Sequence, residues 1–154
     1  MKLRHGGRLR AAASTYGIAM EEWLDFSTAI NPQSWPIPAI PESVWQRLPE
    51  EDDGLQEAIH QFYGRSNGLA VPGTQAVIET LPTLFASRRV WVPAIGYQEH
   101  AFCWQKRGHR LHHYVELPTL SQLAHGDIVV VINPNNPTAE LHSTLTLIDM
   151  ARTL

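Results

Sequence analysis

From residue 69 onward, four short apolar runs are set apart by segments of helix length, and this alternation limits the fold more than any other feature. The runs are LAVPG at 69–73, RVWVP at 89–93, RLHHYV at 110–115 and DIVVVI at 127–132. Between them the pattern predicts a helix from about Thr74, a helix over 97–107 stopped by Gly108, and a helical turn over 120–125. A last helix is expected over 143–154. Strands separated in this way need right-handed crossovers, which give a mainly parallel sheet with helices on both faces. The expected fold class is therefore α/β, a three-layer αβα arrangement. VVVI has no polar alternation, so the fourth strand is expected to be fully buried.

Residues 1–53 form an N-terminal arm and linker, and 54–154 the domain proper. Within the arm a helix is expected over 8–16, ended by Gly17, and a short strand at WLDFS, 23–27. Prolines at 32, 36, 38 and 41 forbid regular structure in the connector that follows. Asp53 and Gln56 match a capping box for a helix whose stripe is Leu55, Ala58, Ile59 and Phe62, ending near Gly64. A hydrophobic content of 44% with 18% charge suits a soluble globular domain, and eleven prolines argue against a helical bundle. A net charge of −3 argues against nucleic acid or an anionic membrane as partner. The lone Cys103 excludes an internal disulfide and fits a cytoplasmic location. The basic N-terminus lacks the apolar stretch of a signal peptide, and no apolar run is long enough to span a bilayer.

In open parallel sheets ligands bind beyond the carboxyl ends of the strands, which places three loops on one rim. PGTQA (72–76) turns from strand to helix. The backbone amides of Gly73, Thr74 and Gln75 could converge on an anion such as a phosphate, or the turn is an ordinary helix start capped by Thr74. PAIGYQEH (93–100) carries Tyr97, either a ring for stacking on a planar ligand or a half-buried tyrosine at a helix start. NPNNPT (133–138) offers uncharged amide donors on a proline-stiffened backbone, suited to a phenolate-type oxygen, or else is an Asn/Pro turn.

Other clusters have simpler readings. His112 and His113 are adjacent in a strand and point to opposite faces, and no HExxH or paired-cysteine spacing signals a metal. Cys103, between Phe102 and Trp104, reads as a packed thiol. The acidic run at 50–53 reads as a solvated loop.

Taken in order, HGG, LDFS…INP, DDGLQEAI…FYG, PGTQAVIETLP, P…GYQEHAFCWQKRGH and VVVINPNNPT resemble the threonine-phosphate decarboxylases. These belong with the histidinol-phosphate aminotransferases among fold type I pyridoxal-phosphate enzymes. The resemblance implies the incomplete large domain of such a transferase, with pyridoxal 5′-phosphate as cofactor and a cytoplasmic homodimer as the parent assembly. Gly73, Thr74 and Gln75 would hold the cofactor phosphate, Tyr97 would stack on its ring, and Asn136 would bond its 3′-oxygen. His5, Gly6 and Asn31 match the arm that binds the phosphorylated amino-acid substrate. The implied reaction is decarboxylation of L-threonine O-3-phosphate to 1-amino-2-propanol phosphate for cobalamin. The alternatives are a histidinol-phosphate-type aminotransferase and a non-enzymatic remnant.

Four features depart from the family. Ala139 replaces a usual glycine, Ala29 a frequent asparagine, and Leu48 the frequent tyrosine before proline. Family members are also about twice as long, and their Schiff-base lysine lies beyond residue 154. Neither Lys2 nor Lys106 fits that role, so no catalytic residue is assigned and this length of chain is expected to be inactive alone.

Overall fold

Local hydrogen bonds decide where the helices of the first half begin and end. The structure, a computed structural model, describes residues 5–28, 30–31, 33–50, 52–65 and 67–154. It contains two compact units, Met1–Leu69 and Ala70–Leu154. Lys2, Ala29 and Glu51 lie outside the described residues.

In the first unit α1 spans Leu9–Tyr16 and ends at Gly17, whose N–H donates to the Ala13 carbonyl at 2.9 Å. A second helix, α2, spans Leu55–Tyr63 and ends the same way at Gly64. Both ends lie where the sequence puts them. The start of α2 does not, because Gly54 is the N-cap and Asp53 accepts from the Leu55 amide at 2.9 Å. An aspartate turn thus replaces the expected capping box. The strand expected at 23–27 is also absent. Asp25 accepts from the Ser27 hydroxyl at 2.6 Å and the Ser27 amide at 2.8 Å, a local turn that competes with an extended ladder. Those two bonds, the hydroxyl's first, hold the Asp25 carboxyl below its usual range. Residues 34–41 have no regular structure, as their prolines require.

The second unit is built on a parallel sheet in the order β2–β1–β3, with β1 Arg89–Pro93, β2 Arg110–Tyr114 and β3 Ile128–Val129. The register runs from Arg89 opposite Arg110 to Pro93 opposite Tyr114, and places Val90 opposite Ile128. A seven-residue helix, α3 (Thr74–Thr80), precedes the sheet and runs into a 3-10 turn at Leu81–Leu84. The crossover from β1 to β2 is α4, Glu99–Lys106, and α5 is Thr144–Thr153, capped by the Ser143 hydroxyl on the Thr146 amide at 3.1 Å. Val90 and Val92 are fully buried against Ala101 and Trp104 of α4, with Leu111, Ile128 and Val130 packed around them. Burying the two valines contributes roughly 3–6 kcal/mol before the entropy of ordering them.

Three expectations about this unit need correction. The most buried strand is β1, with Val90, Val92 and Pro93 buried and Arg89 and Trp91 half-buried, whereas residues 127–132 are all only half-buried and two of them form β3. As an edge strand, β3 has a neighbour on one side only. Residues 69–71 form no strand, because nothing among the described residues pairs with them. The helix expected from Tyr97 begins at Glu99.

Asp127 joins β3 to β1. Its carboxylate accepts from Arg89 Nε at 2.9 Å on each oxygen, from Trp91 Nε1 at 3.1 Å and from the Ala124 amide at 3.1 Å. This bonding, led by Arg89, lowers the carboxyl from 3.8 to about 2. Because the folded value lies below the unfolded one, the stabilisation is present above about pH 4 and is lost as pH falls through about 2. Asp127→Asn should cost about 1–2 kcal/mol at neutral pH, discounted for the partly exposed arginine. Urea unfolding at several pH values should show the two proteins converging in acid. A difference that does not change with pH would contradict this account.

Candidate functional site

Beyond the carboxyl ends of β1 and β3, the loops after the two strands are fastened to one another by the side chain of Asn135. Asn135, 8% exposed, donates from Nδ2 to the Ile95 carbonyl and to Thr138 Oγ1, both at 2.8 Å. Its own amide reaches the Glu140 carbonyl at 2.9 Å, and its carbonyl accepts from Ala139 at 2.7 Å. Asn133 clamps His142 twice, from Nδ2 to the carbonyl at 3.0 Å and from the His142 amide to Oδ1 at 2.8 Å. Asn136 is exposed, and its side chain makes no hydrogen bond among the described residues. Two of the three asparagines therefore hold the loop, and the third presents a free amide at the rim. Sequence reading missed the anchoring by Asn135. The available signal was an amide between Pro134 and Asn136, whose direction only the backbone decides.

The loop before α3 behaves differently from expectation in one respect. Gly73 has φ 80°, which favours glycine, but its N–H donates to the Val71 carbonyl at 2.8 Å. Of the three amides expected to converge, only Thr74 and Gln75 remain, as the first two of the helix and so without carbonyls inside it. Thr74 does not cap the helix, since Gly73 is the N-cap and no side-chain cap bond forms.

Tyr97 lies in the turn before α4, 44% exposed, with its ring edge-on to His100 at 6.2 Å. Its hydroxyl donates to Gln75 Oε1 at 3.3 Å, and Gln75 Nε2 donates to Glu79 at 3.3 Å. Burial, then the Glu99 carboxylate, raises the phenol above its usual value, so it stays a donor. The structure thus joins Gln75 to Tyr97, and through Asn135 and Ile95 joins the loop of Tyr97 to that of Asn136. Cys103 is buried, and burial raises its thiol, as for a packed residue. Among the described residues no three His, Cys, Asp or Glu side chains converge on a point.

The remaining candidates lie in the first unit. Gly6 packs so close to Ser27 that a Cβ would come 1.9 Å from its carbonyl oxygen, and the Gly7 amide donates to Ser27 Oγ at 2.8 Å. Asn31 accepts from the Gln33 amide at 2.9 Å, an aspartate-type turn into the connector. His5 is exposed.

The family model for aminotransferase class I and II matches residues 46–154. The chain is 45% identical over 139 residues to a threonine-phosphate decarboxylase of Pseudomonas aeruginosa, covering 90% of this chain and 42% of that protein. It is 40% identical over 153 residues to a threonine-phosphate decarboxylase of a Sinorhizobium species, covering 96% of this chain and 45% of the relative. The chain therefore spans less than half the length of these curated relatives. A crystal structure assigned to the aminotransferases, from Burkholderia pseudomallei, superposes with a TM-score of 0.58 at 18% identity. That match covers 99% of this chain and 42% of the other, and it supports the fold alone.

Ala139 has φ 58°, left-handed backbone that otherwise falls on glycine among the described residues. Ala139→Gly removes a Cβ clash of about 1–2 kcal/mol and adds about 0.5–1 kcal/mol of unfolded-chain freedom. Thermal unfolding should find the variant unchanged or up to about 1 kcal/mol more stable, and Ala139→Val less stable than either. Clear destabilisation by glycine would contradict the turn.

Proposed function

The chain belongs to the aminotransferase class I and II family, and we propose from this premise that its parent protein is a pyridoxal-phosphate-dependent decarboxylase of L-threonine O-3-phosphate. The observation that carries the choice of reaction is the identity of 45% and 40% with relatives named for it, across nearly all of this chain. The motifs HGG and INP near the start support the same branch over the aminotransferases.

The geometry of the second unit fits the cofactor. The Thr74 and Gln75 amides open a helix, where the dipole favours a phosphate. Tyr97 offers a part-exposed ring bonded to Gln75, and Asn136 offers a rim amide with no partner among the described residues. In this reading Gly73 supplies the turn rather than an amide, Thr74 and Gln75 bind the phosphate, Tyr97 holds the ring, and Asn136 donates to its 3′-oxygen. Bound pyridoxal phosphate supplies an electron sink for the bond that breaks. The protein's task is to hold the ring in one plane and keep the substrate phosphate apart from it. His5, Gly6 and Asn31 are proposed for the latter. Gly6 is required there by its contact with Ser27 whatever its role toward substrate.

Residues 54–154 would be the N-terminal half of the cofactor-binding domain and 1–53 the arm. A homodimeric, cytoplasmic parent enzyme belongs to the same proposal. Among the described residues no helix is long and apolar enough to cross a membrane. Lys106, the last residue of α4, lies with Nζ 6.0 Å from the Phe102 ring and is not assigned to the chemistry.

The test is product analysis. The full-length enzyme should release carbon dioxide from threonine phosphate with no keto-acid acceptor present, and the 154-residue chain should release none. Amino transfer to 2-oxoglutarate without carbon dioxide would place the parent among the aminotransferases.

A further inference from the structure

At the amino ends of the strands, opposite the three loops, the sheet carries a second polar concavity. Arg88 and Arg89 lie at the start of β1, Arg110 opens β2, and His125 and Asp127 precede β3. With His112 they line a cup of about 470 Å3. Its charge is unbalanced. Asp127 is its one carboxylate, and Arg89, Trp91 and the Ala124 amide already occupy it. Arg88 donates from Nη1 to the Gly126 carbonyl at 3.3 Å, and Arg110 is exposed. Among the described residues neither forms an ion pair.

These two cations line the same cup from opposite sides of β1. The Arg110 amide donates to the Arg88 carbonyl at 2.9 Å. Arg110 stands on β2 while the Arg88 guanidinium is held at Gly126 on the β3 side, so the cup has a donor fork on either side of β1. Each guanidinium offers a planar fork of donors that fits two oxygens of a phosphoryl group. His112, its ring tilted against Trp91 at 5.1 Å, adds an imidazole to the wall.

We propose that this cup binds a diphosphate-class anion, with Arg88 and Arg110 each gripping one phosphoryl group. Nothing in it depends on the reaction proposed above, since it uses none of the rim residues.

The test is a 15N NMR titration of the chain with inorganic pyrophosphate at near-physiological salt, with inorganic phosphate and sulfate as comparisons. Pyrophosphate should saturate a single site, bind more tightly than the other two anions, and shift the amides of residues 87–89, 110–112 and 125–127. Arg88→Gln and Arg110→Gln should each weaken it about tenfold, and Arg65→Gln should leave it unchanged. Arg110→Lys keeps the charge without the fork and should bind at an intermediate level, which serves if a glutamine variant loses the native spectrum. Shifts confined to 73–75, unsaturable shifts across the surface, equal affinity for all three anions, or full affinity in the variants would overturn the proposal.

Discussion

The burial of β1 is the contact on which the second unit depends. Its two valines point into Trp104 and Ala101, while its backbone is paired on both edges, by β2 over five residues and by β3 over two. Pairing on both edges makes β1 the one strand whose amides and carbonyls are held from both sides, and its direction fixes where the neighbouring loops emerge. A second lock secures the turn before the sheet. The Arg88 amide donates to His109 Nδ1 at 3.2 Å, which leaves the ring proton on Nε2 to donate to the Pro82 carbonyl at 2.9 Å. His109 is 5% exposed and edge-on to Trp104 at 4.7 Å, so one imidazole joins the end of α3, the start of β1 and the core.

From that frame the rim follows. Carboxyl ends of parallel strands leave the loops after β1 and β3 side by side, and the chain fastens them with amides rather than charges. Tyr114 reinforces the link, its hydroxyl donating to the Val130 carbonyl at 2.7 Å. Burial, then the Glu140 charge, pushes that phenol up to about 12, so it remains a donor at any pH the fold would meet. Neutral clamps would suit the proposed anionic, aromatic ligand, because they add no competing charge.

Much of this was legible in the residues, and the exceptions share a cause. RVWVP and RLHHY could be read as strands because each alternates or branches within itself, and Gly17, Gly64 and Gly108 mark chain reversals that L side chains resist. LAV and most of VVVI are equally apolar, yet whether they pair depends on a neighbour elsewhere in the chain, which periodicity does not report. At Asp25 and Asp53 a carboxylate two residues before an amide outcompeted a strand and a capping box, a local preference that apolar pattern conceals. Within NPNNPT the three amides are chemically identical. Only the fold decides that Asn133 and Asn135 are bonded within the chain while Asn136 is left exposed, although the resemblance had singled out Asn136.

The central claim is that Thr74, Gln75, Tyr97 and Asn136 form one site for a phosphorylated pyridine. The most direct measurement is a 15N NMR titration of the chain with pyridoxal phosphate, followed on assigned backbone and asparagine side-chain amides. The account predicts that these four residues shift together along one saturation curve, with the Asn136 side-chain amide among the largest changes. Shifts gathered around Lys106, or a response at 74–75 with none at Tyr97 and Asn136, would contradict it.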